Sequence, residues 1–253
     1  MVPVTPLPTW IDLKTALFGK TPQTPSAVLP WASATRQCCW FSRGAWALAA
    51  LVEWHASLNK RRPVKLWLPD YFCNQSTYPV REAGAELVFY PILANLQPDW
   101  PACEALIGRG GCNLFVLVHH FGHAQDPSQA ATFCDVAGAT LIEDAAHVLS
   151  PYGGIGQGRS FIFYSPAKVL AVPDGAVLVF PPENLGDTVE FFQTYLETWN
   201  ENPSFYEWFT KRLIQKILPA NVQKIWNRRF PDFDWNPPFQ SFPKTPSISL
   251  VAK

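Results

Sequence analysis

A chain of 253 residues, 48% of them hydrophobic, is long enough to bury one large core, alone or with a partial second one. Twenty basic residues cancel twenty acidic ones, so no net charge draws the chain to nucleic acid or to an anionic membrane. The opening MVPVTPLPTWIDLK has no basic stretch and is broken by prolines, unlike a secretory leader; no run reaches the roughly 18 apolar residues of a membrane span, and six scattered cysteines without a CxxC pair suit reduced, buried thiols, so the expected compartment is the cytoplasm.

Proline crowds the two ends, around 3–30 and 231–246. Three regions are expected: an N-terminal extension (1–35), an ordered α/β domain (36–183), and a helical and irregular C-terminal segment (184–253). SRGAWALAALVEWHASL (42–58) is apolar on most faces and free of proline, which predicts a largely buried helix with Ser42 as its N-cap. VKLWLP (64–69) predicts a short strand, and STYPVREAG (76–84) a helix with Pro79 near its start and Gly84 at its end. AELVFYPI (85–92) predicts another strand. NLFVLVHHFG (113–122) is a continuous apolar run, the mark of a strand covered on both faces. PSQAATFCDVAG (127–138) reads as a helix ended by Gly138. TLIEDAA (140–146), SFIFYS (160–165) and AVLVF (176–180) supply the last strands. Helices alternating with short apolar strands argue for an α/β layer fold with a mostly parallel sheet, in which ligands bind beyond the carboxyl ends of the strands. From about 184 the sequence predicts one or two amphipathic helices. The tail from 227 is rich in proline and aromatics, has no period, and must pack against something.

Three candidate sites fall at or just after strand or helix ends. Lys168, in SPAKVLAVPDGA, stands among apolar and small residues. Near the interior, poor solvation favours the neutral amine, a nucleophile able to form a Schiff base with a carbonyl; the alternative is a lysine on the rim of a loop. Asp144 ends the strand LIEDAA, where a buried carboxylate needs a partner. The protonated ring nitrogen of pyridoxal 5′-phosphate is one such partner; the alternatives are a loop cap or a pair with Arg159. In FSRGAWALAAL small residues permit close backbone approach, and the helix start offers free N–H groups to an anion such as phosphate. Its alternative is an ordinary helix start that holds Ser and Gly. Ring nitrogen, aldehyde and phosphate are the three handles of pyridoxal phosphate, and an acid, an amine and a cradle are present together. His119, His120 and His123 fall on one strand and its turn, with neighbours on opposite faces and no matching Cys/His cluster elsewhere, so no metal site is expected.

With those residues in place, the sequence resembles the DegT/DnrJ/EryC1/StrS aminotransferases, the sugar aminotransferase branch of the fold-type-I pyridoxal phosphate enzymes. SRGAWALAAL, LPDYFCNQSTYPVREAGAELVFYPI, VHHFGHAQD, AGATLIEDAAHVL and FYSPAKVLAVPDGAVLVF carry the resemblance, in the family's order, over about 40–183. IEDAAH stands close to the family's IEDAAQ, and VPDGAVL to its GDGG stretch. The resemblance implies that Lys168 is the Schiff-base lysine and proton carrier, and that Asp144 pairs with the pyridinium nitrogen. It puts His147, where the family usually has Gln, beside the ring hydroxyl. It assigns the phosphate to Ser165 and to the chain at Ser42, Arg43, Gly44 and Ala45, where SRGA replaces the family's usual Gly-Thr. His119 matches the family's VH pair at the sheet edge, with a histidine satisfied in the core as the equal alternative. The aromatic that stacks on the ring is expected near Cys73, with Tyr71 or Phe72 taking its role. The resemblance also implies an amino-acid donor, a keto acceptor on a nucleotide-linked sugar, and a homodimer with its sites at the interface. Family chains are usually longer and end in a small domain that closes over the substrate; most of that domain is expected to be missing here, with 184–253 its remnant or its start. A catalytically degenerate relative with a binding, regulatory or structural role is the alternative.

Overall fold

Among the described residues, seven strands form one sheet in the order β1-β7-β6-β5-β4-β2-β3. They are β1 (Cys38–Phe41), β2 (Val64–Pro69), β3 (Ala85–Tyr90), β4 (Leu114–Val118), β5 (Thr140–Ala145), β6 (Phe161–Tyr164) and β7 (Ala176–Val179). The helices are α1 (Trp10–Phe18), α2 (Gly44–Asn59), α3 (Thr77–Glu82), α4 (Trp100–Ile107), α5 (Pro127–Ala137), α6 (Pro166–Val169), α7 (Gly186–Glu197) and α8 (Tyr206–Ile217). This computed structural model describes residues 7–18, 30–31, 36–59, 63–108, 110–156, 158–182, 186–199, 206–217 and 244.

Strands β3, β2, β4, β5 and β6 run parallel, while β7 lies antiparallel between β6 and β1. The expected α/β layer is therefore present. Its strands read as unbroken apolar runs because both faces are covered: every residue of β6 and β7 is buried. On one face α2 and α7 close a core that includes Leu48, Leu51, Leu66, Val116, Ile142, Phe163 and Phe192. On the other, α4 and α5 cover Trp67, Tyr90, Phe115, Leu117 and Phe133. Adjacent residues such as Leu66 and Trp67 enter opposite cores, as strand pleating requires. Because β7 is antiparallel, the carboxyl ends of β1, β2, β4, β5 and β6 share one edge of the sheet with the start of β7.

Several boundaries differ from expectation for identifiable reasons. The run 113–122 is strand only as far as Val118, which pairs with Asp144 at the end of the ladder. The chain then reverses through Phe121 and Gly122, with φ of 55° and 84°. Helix α2 begins at Gly44, and the carbonyl of Arg43 accepts its first bonds, from the N–H groups of Trp46 (3.1 Å) and Ala47 (3.4 Å). Ser42 is therefore not the N-cap. Its carbonyl receives the N–H of Gly175 (2.8 Å) and its own N–H goes to the carbonyl of Lys244 (3.0 Å), which keeps it with the sheet edge.

Four elements have no counterpart in the sequence reading: α1, β1, α4 and the single turn of α6. α1 opens on a capping box: Thr9 Oγ1 accepts the N–H of Asp12 (3.1 Å) and Asp12 Oδ2 accepts that of Thr9 (2.7 Å). α4 is capped by Asp99, which accepts the N–H of Ala102 (3.2 Å), and has a proline in its first turn. The expected ends of α3 and α5 hold, with Gly84 and Gly138 both at positive φ just past the last turn. α7 and α8 are the amphipathic helices expected after 184. α7 sends Phe192 and Tyr195 into the core beside α2. On α8, Lys216 donates to the carbonyl of Pro8 (2.8 Å) and lies over the Trp10 ring (5.3 Å). The aromatic tail lies outside the described residues apart from Lys244, whose ammonium sits over Trp46 and Trp199 at 4.9 and 3.0 Å. All six cysteines are free thiols. Burial pushes Cys103 and Cys134 up to about 12, so both stay protonated. Among the described residues, no helix is long and apolar enough to cross a membrane.

Candidate active site

Glu143 and Asp144 are neighbours on β5, so their side chains leave the sheet on opposite faces. Glu143 is wholly buried, with the ring of His119 at 3.0 Å. Asp144 is only half-buried. The costly buried charge at this strand end is therefore Glu143, a correction to the expectation placed on Asp144. Asp144 caps its own turn through Oδ1, which accepts the N–H of Ala146 (2.9 Å). Its Oδ2 has no hydrogen-bond partner among the described residues, so one oxygen of the acid is left for a ligand.

Ser165 and Lys168 follow β6 around α6. Pro166 and Ala167 face inward, which turns Lys168 outward; it is exposed rather than near the interior, as its surroundings in sequence implied. Its Nζ makes no ion pair or hydrogen bond among the described residues. Ser165 is buried, but its hydroxyl also lacks a hydrogen-bond partner among them. It lies against the start of α2: a Cβ added to Gly44 would meet Ser165 Oγ at 3.2 Å and Phe163 Cδ2 at 2.8 Å. A backbone amide end and a hydroxyl thus share one small cradle that only glycine leaves open, the arrangement a phosphate needs. Gly44→Ala is expected to lower stability by about 1–3 kcal/mol through overpacking against the buried Phe163 ring. Urea unfolding of the two proteins checks this. Ala45 is buried behind the cradle. The Arg43 side chain turns toward the loop before β7, donating to the carbonyl of Pro173 (3.4 Å).

His147 ties the two halves together. It is exposed, and its imidazole is held below the usual histidine range, first by incomplete solvation and then by the Lys168 cation, against the opposing pull of Asp144. The acid and the amine, 24 positions apart in sequence, therefore act on one ring at one edge of the sheet. The turn after β4 packs on the same residue. Gly122 approaches so closely that a Cβ would sit 3.0 Å from the His147 carbonyl. Phe121, exposed and in a left-handed conformation, lies with its ring plane 2° from that of His147 at 6.4 Å. Tyr71, beyond β2, meets His120 at 5.7 Å and Phe121 at 6.2 Å. His120 is buried among these groups; burial lowers its pKa most, with Asp144 opposing and His147 and His119 adding to the fall.

Most of the candidates thus gather at the carboxyl ends of β2, β5 and β6 and at the start of α2. His119 does not: both of its ring nitrogens are engaged in the core, with Glu143 and with the N–H of Gln125 (3.0 Å). Cys73 is exposed at the start of a short turn, 74–76. Of the two aromatics beside it, Phe72 packs on the main core and Tyr71 on the site. His120 joins the site as a histidine just past a strand end, where the sequence lets it converge with Asp144 and Ser165; Phe121, its neighbour in HHFG, joins it although the sequence did not single it out. A groove of about 730 Å³ between α2 and α7, lined by Glu53, Phe191, Tyr195 and Trp199, begins nine residues along α2 from Gly44 and is a separate feature.

The profile of the DegT/DnrJ/EryC1/StrS aminotransferase family matches residues 71–202, just over half of the chain. No curated protein matches significantly. Among solved structures, 3-amino-5-hydroxybenzoic acid synthase is similar with a TM-score of 0.53 and 21% identity, over 60% of this chain and 40% of that one. The sugar aminotransferase CalS13 from Micromonospora echinospora gives 0.56 and 17%, over 76% and 56%. Helicobacter pylori PseC, an aminotransferase involved in the biosynthesis of pseudoaminic acid, gives 0.56 and 18%, over 77% and 54%. The chain thus spans about half the length of these structures, and at such identities the likeness establishes the fold.

Proposed function

The chain belongs to the DegT/DnrJ/EryC1/StrS aminotransferase family and has the fold-type-I α/β architecture, and from that premise we propose that it is a pyridoxal 5′-phosphate-dependent aminotransferase. It moves an amino group from an amino-acid donor to a keto group, on a nucleotide-linked sugar, and works as a cytoplasmic homodimer. The sugar class of acceptor draws support from the description of CalS13 as a sugar aminotransferase.

One observation carries the reading: the pairing of β5 with β6 brings Asp144 to the same sheet edge as the Ser165–Lys168 turn, and Ser165 there borders the glycine that opens α2. The residues present fit the group. Ser165 and the first N–H groups of α2 would hold its phosphate, Asp144 its ring nitrogen, and His147 its ring hydroxyl. Tyr71 and Phe121 would border its ring. Bound pyridoxal phosphate supplies an electron sink for the charge that develops on the donor's α-carbon. Asp144 Oδ2 would hold a proton on the ring nitrogen. Lys168 would present its amine to the aldehyde carbon, and later its Nζ would take the proton from the donor's α-carbon.

The test is to purify the chain with pyridoxal phosphate, record its visible absorbance, reduce with borohydride and map the labelled peptide. A yellow protein that bleaches on reduction and carries its label on Lys168 is expected. A protein that stays colourless and excludes the cofactor overturns the reading in favour of a degenerate relative.

A further inference from the structure

Glu143 has no part in the chemistry above, yet it is fully buried and its carboxylate accepts three hydrogen bonds. His119 Nε2 and the N–H of Gly156 both reach Oε2 at 3.0 Å, and the hydroxyl of Ser160 reaches Oε1. Such charge-assisted bonds compensate a buried carboxylate for its lost hydration. The tautomer of His119 follows from geometry. Its Nδ1 accepts the N–H of Gln125 at 3.0 Å, so the proton is on Nε2 and points at Glu143. The N–H of His119 in turn donates to the carbonyl of Asp144 at 3.0 Å. One carboxylate thereby ties together the end of β4, the turn 119–125, the tip of β5 and the loop before β6.

We propose that Glu143 is a positioning residue: through His119, Gly156 and Ser160 it fixes the β5 tip that bears Asp144 and His147 and the turn that bears His120 and Phe121, and it does so by accepting hydrogen bonds, not by its charge. Its side chain leaves β5 on the face opposite Asp144. The charged and titratable groups that act on His147 are Lys168 from α6 and Asp144 from β5, and His120 from the β4–α5 turn is coupled to it; Glu143 is not among them. Glutamine can meet the same three partners. Its amide oxygen can accept from His119 and Gly156 while its NH₂ donates to the Ser160 oxygen, which accepts equally well.

Two readouts on the full chain test this: the NMR titration of the His147 imidazole, which needs no cofactor, and the affinity for pyridoxal phosphate, which rests on the reading above. Glu143→Gln is expected to leave both at wild-type values. His119→Phe strands the N–H of Gln125 and removes one donor from Glu143; it is expected to weaken pyridoxal phosphate binding about tenfold and to lower the His147 midpoint as Asp144 shifts away. Ser160→Ala, a smaller change, is expected to act in the same direction and decides the matter if His119→Phe does not fold. The proposal is overturned if Glu143→Gln does as much damage as His119→Phe or Ser160→Ala, which would assign the effect to charge. It is equally overturned if the folded variants at 119 and 160 titrate and bind like wild type. A wild-type chain that binds no pyridoxal phosphate would sink the aminotransferase reading, while the His147 titrations would still decide the role of Glu143.

Discussion

Lys168→Ala is expected to abolish the borohydride-fixed label and to lower amino transfer by at least about 10³-fold. The methyl group of alanine can neither bond to an aldehyde carbon nor carry a proton. Folding should be almost untouched, because Lys168 is exposed and its Nζ holds no partner among the described residues; substitutions of that kind usually stay within about 0.5 kcal/mol. Loss of activity with an unchanged melting curve therefore separates chemistry from structure. A second readout needs no substrate. The Lys168 cation helps to hold the His147 ring below its usual range, so its removal should let the His147 titration midpoint rise. A Lys168→Ala protein that transfers amino groups as well as wild type would place the reacting amine elsewhere.

Much of this site is legible in the chain because β strands report their own ends. The apolar runs LFVLV and TLIEDA stop where the sheet stops, and a polar residue at the stop faces the ligand edge. What a run cannot report is which of two adjacent polar residues turns outward. The strand period gives alternation but not phase, so LIED offers Glu143 and Asp144 alike. The phase is set by a partner 24 residues upstream, His119, which draws Glu143 inward. The same long-range pairing removes His119 from the set of ligand contacts and leaves its neighbour His120 there. Helix α1 failed for the opposite reason: its signal is local, a Thr-x-x-Asp box in TWID, but it is submerged in prolines that argue against any helix. Helix α4 was equally local, capped by Asp99 and opened by a proline that reads at first sight as a breaker. The start of α2 shows a third limit. Ser42 is a favoured cap by residue type, but the loop before β7 claims its carbonyl, and that contact spans more than a hundred residues.

Asp144→Asn is the sharper of the two site substitutions, because it removes charge and little else. The asparagine Oδ1 can still accept the N–H of Ala146, so the turn after β5 keeps its cap and stability should change little. What disappears is the anion that would keep a ring nitrogen protonated. Losing one partner of a desolvated, hydrogen-bonded charge pair costs about 2–5 kcal/mol, so amino transfer should fall roughly 30-fold or more, with weaker retention of pyridoxal phosphate. The two substitutions also carry opposite signatures on one reporter. Asp144 favours the protonated His147 ring and Lys168 disfavours it, so Asp144→Asn should lower the His147 midpoint whereas Lys168→Ala should raise it. Global loosening of the site would admit water around His147 in both variants and move its midpoint the same way in each. Opposed shifts arise only if an acid and an amine flank that imidazole together. Such a pair of titrations tests the spatial arrangement itself, and same-direction shifts would remove the geometric ground for assigning Asp144 and Lys168 to two ends of one cofactor.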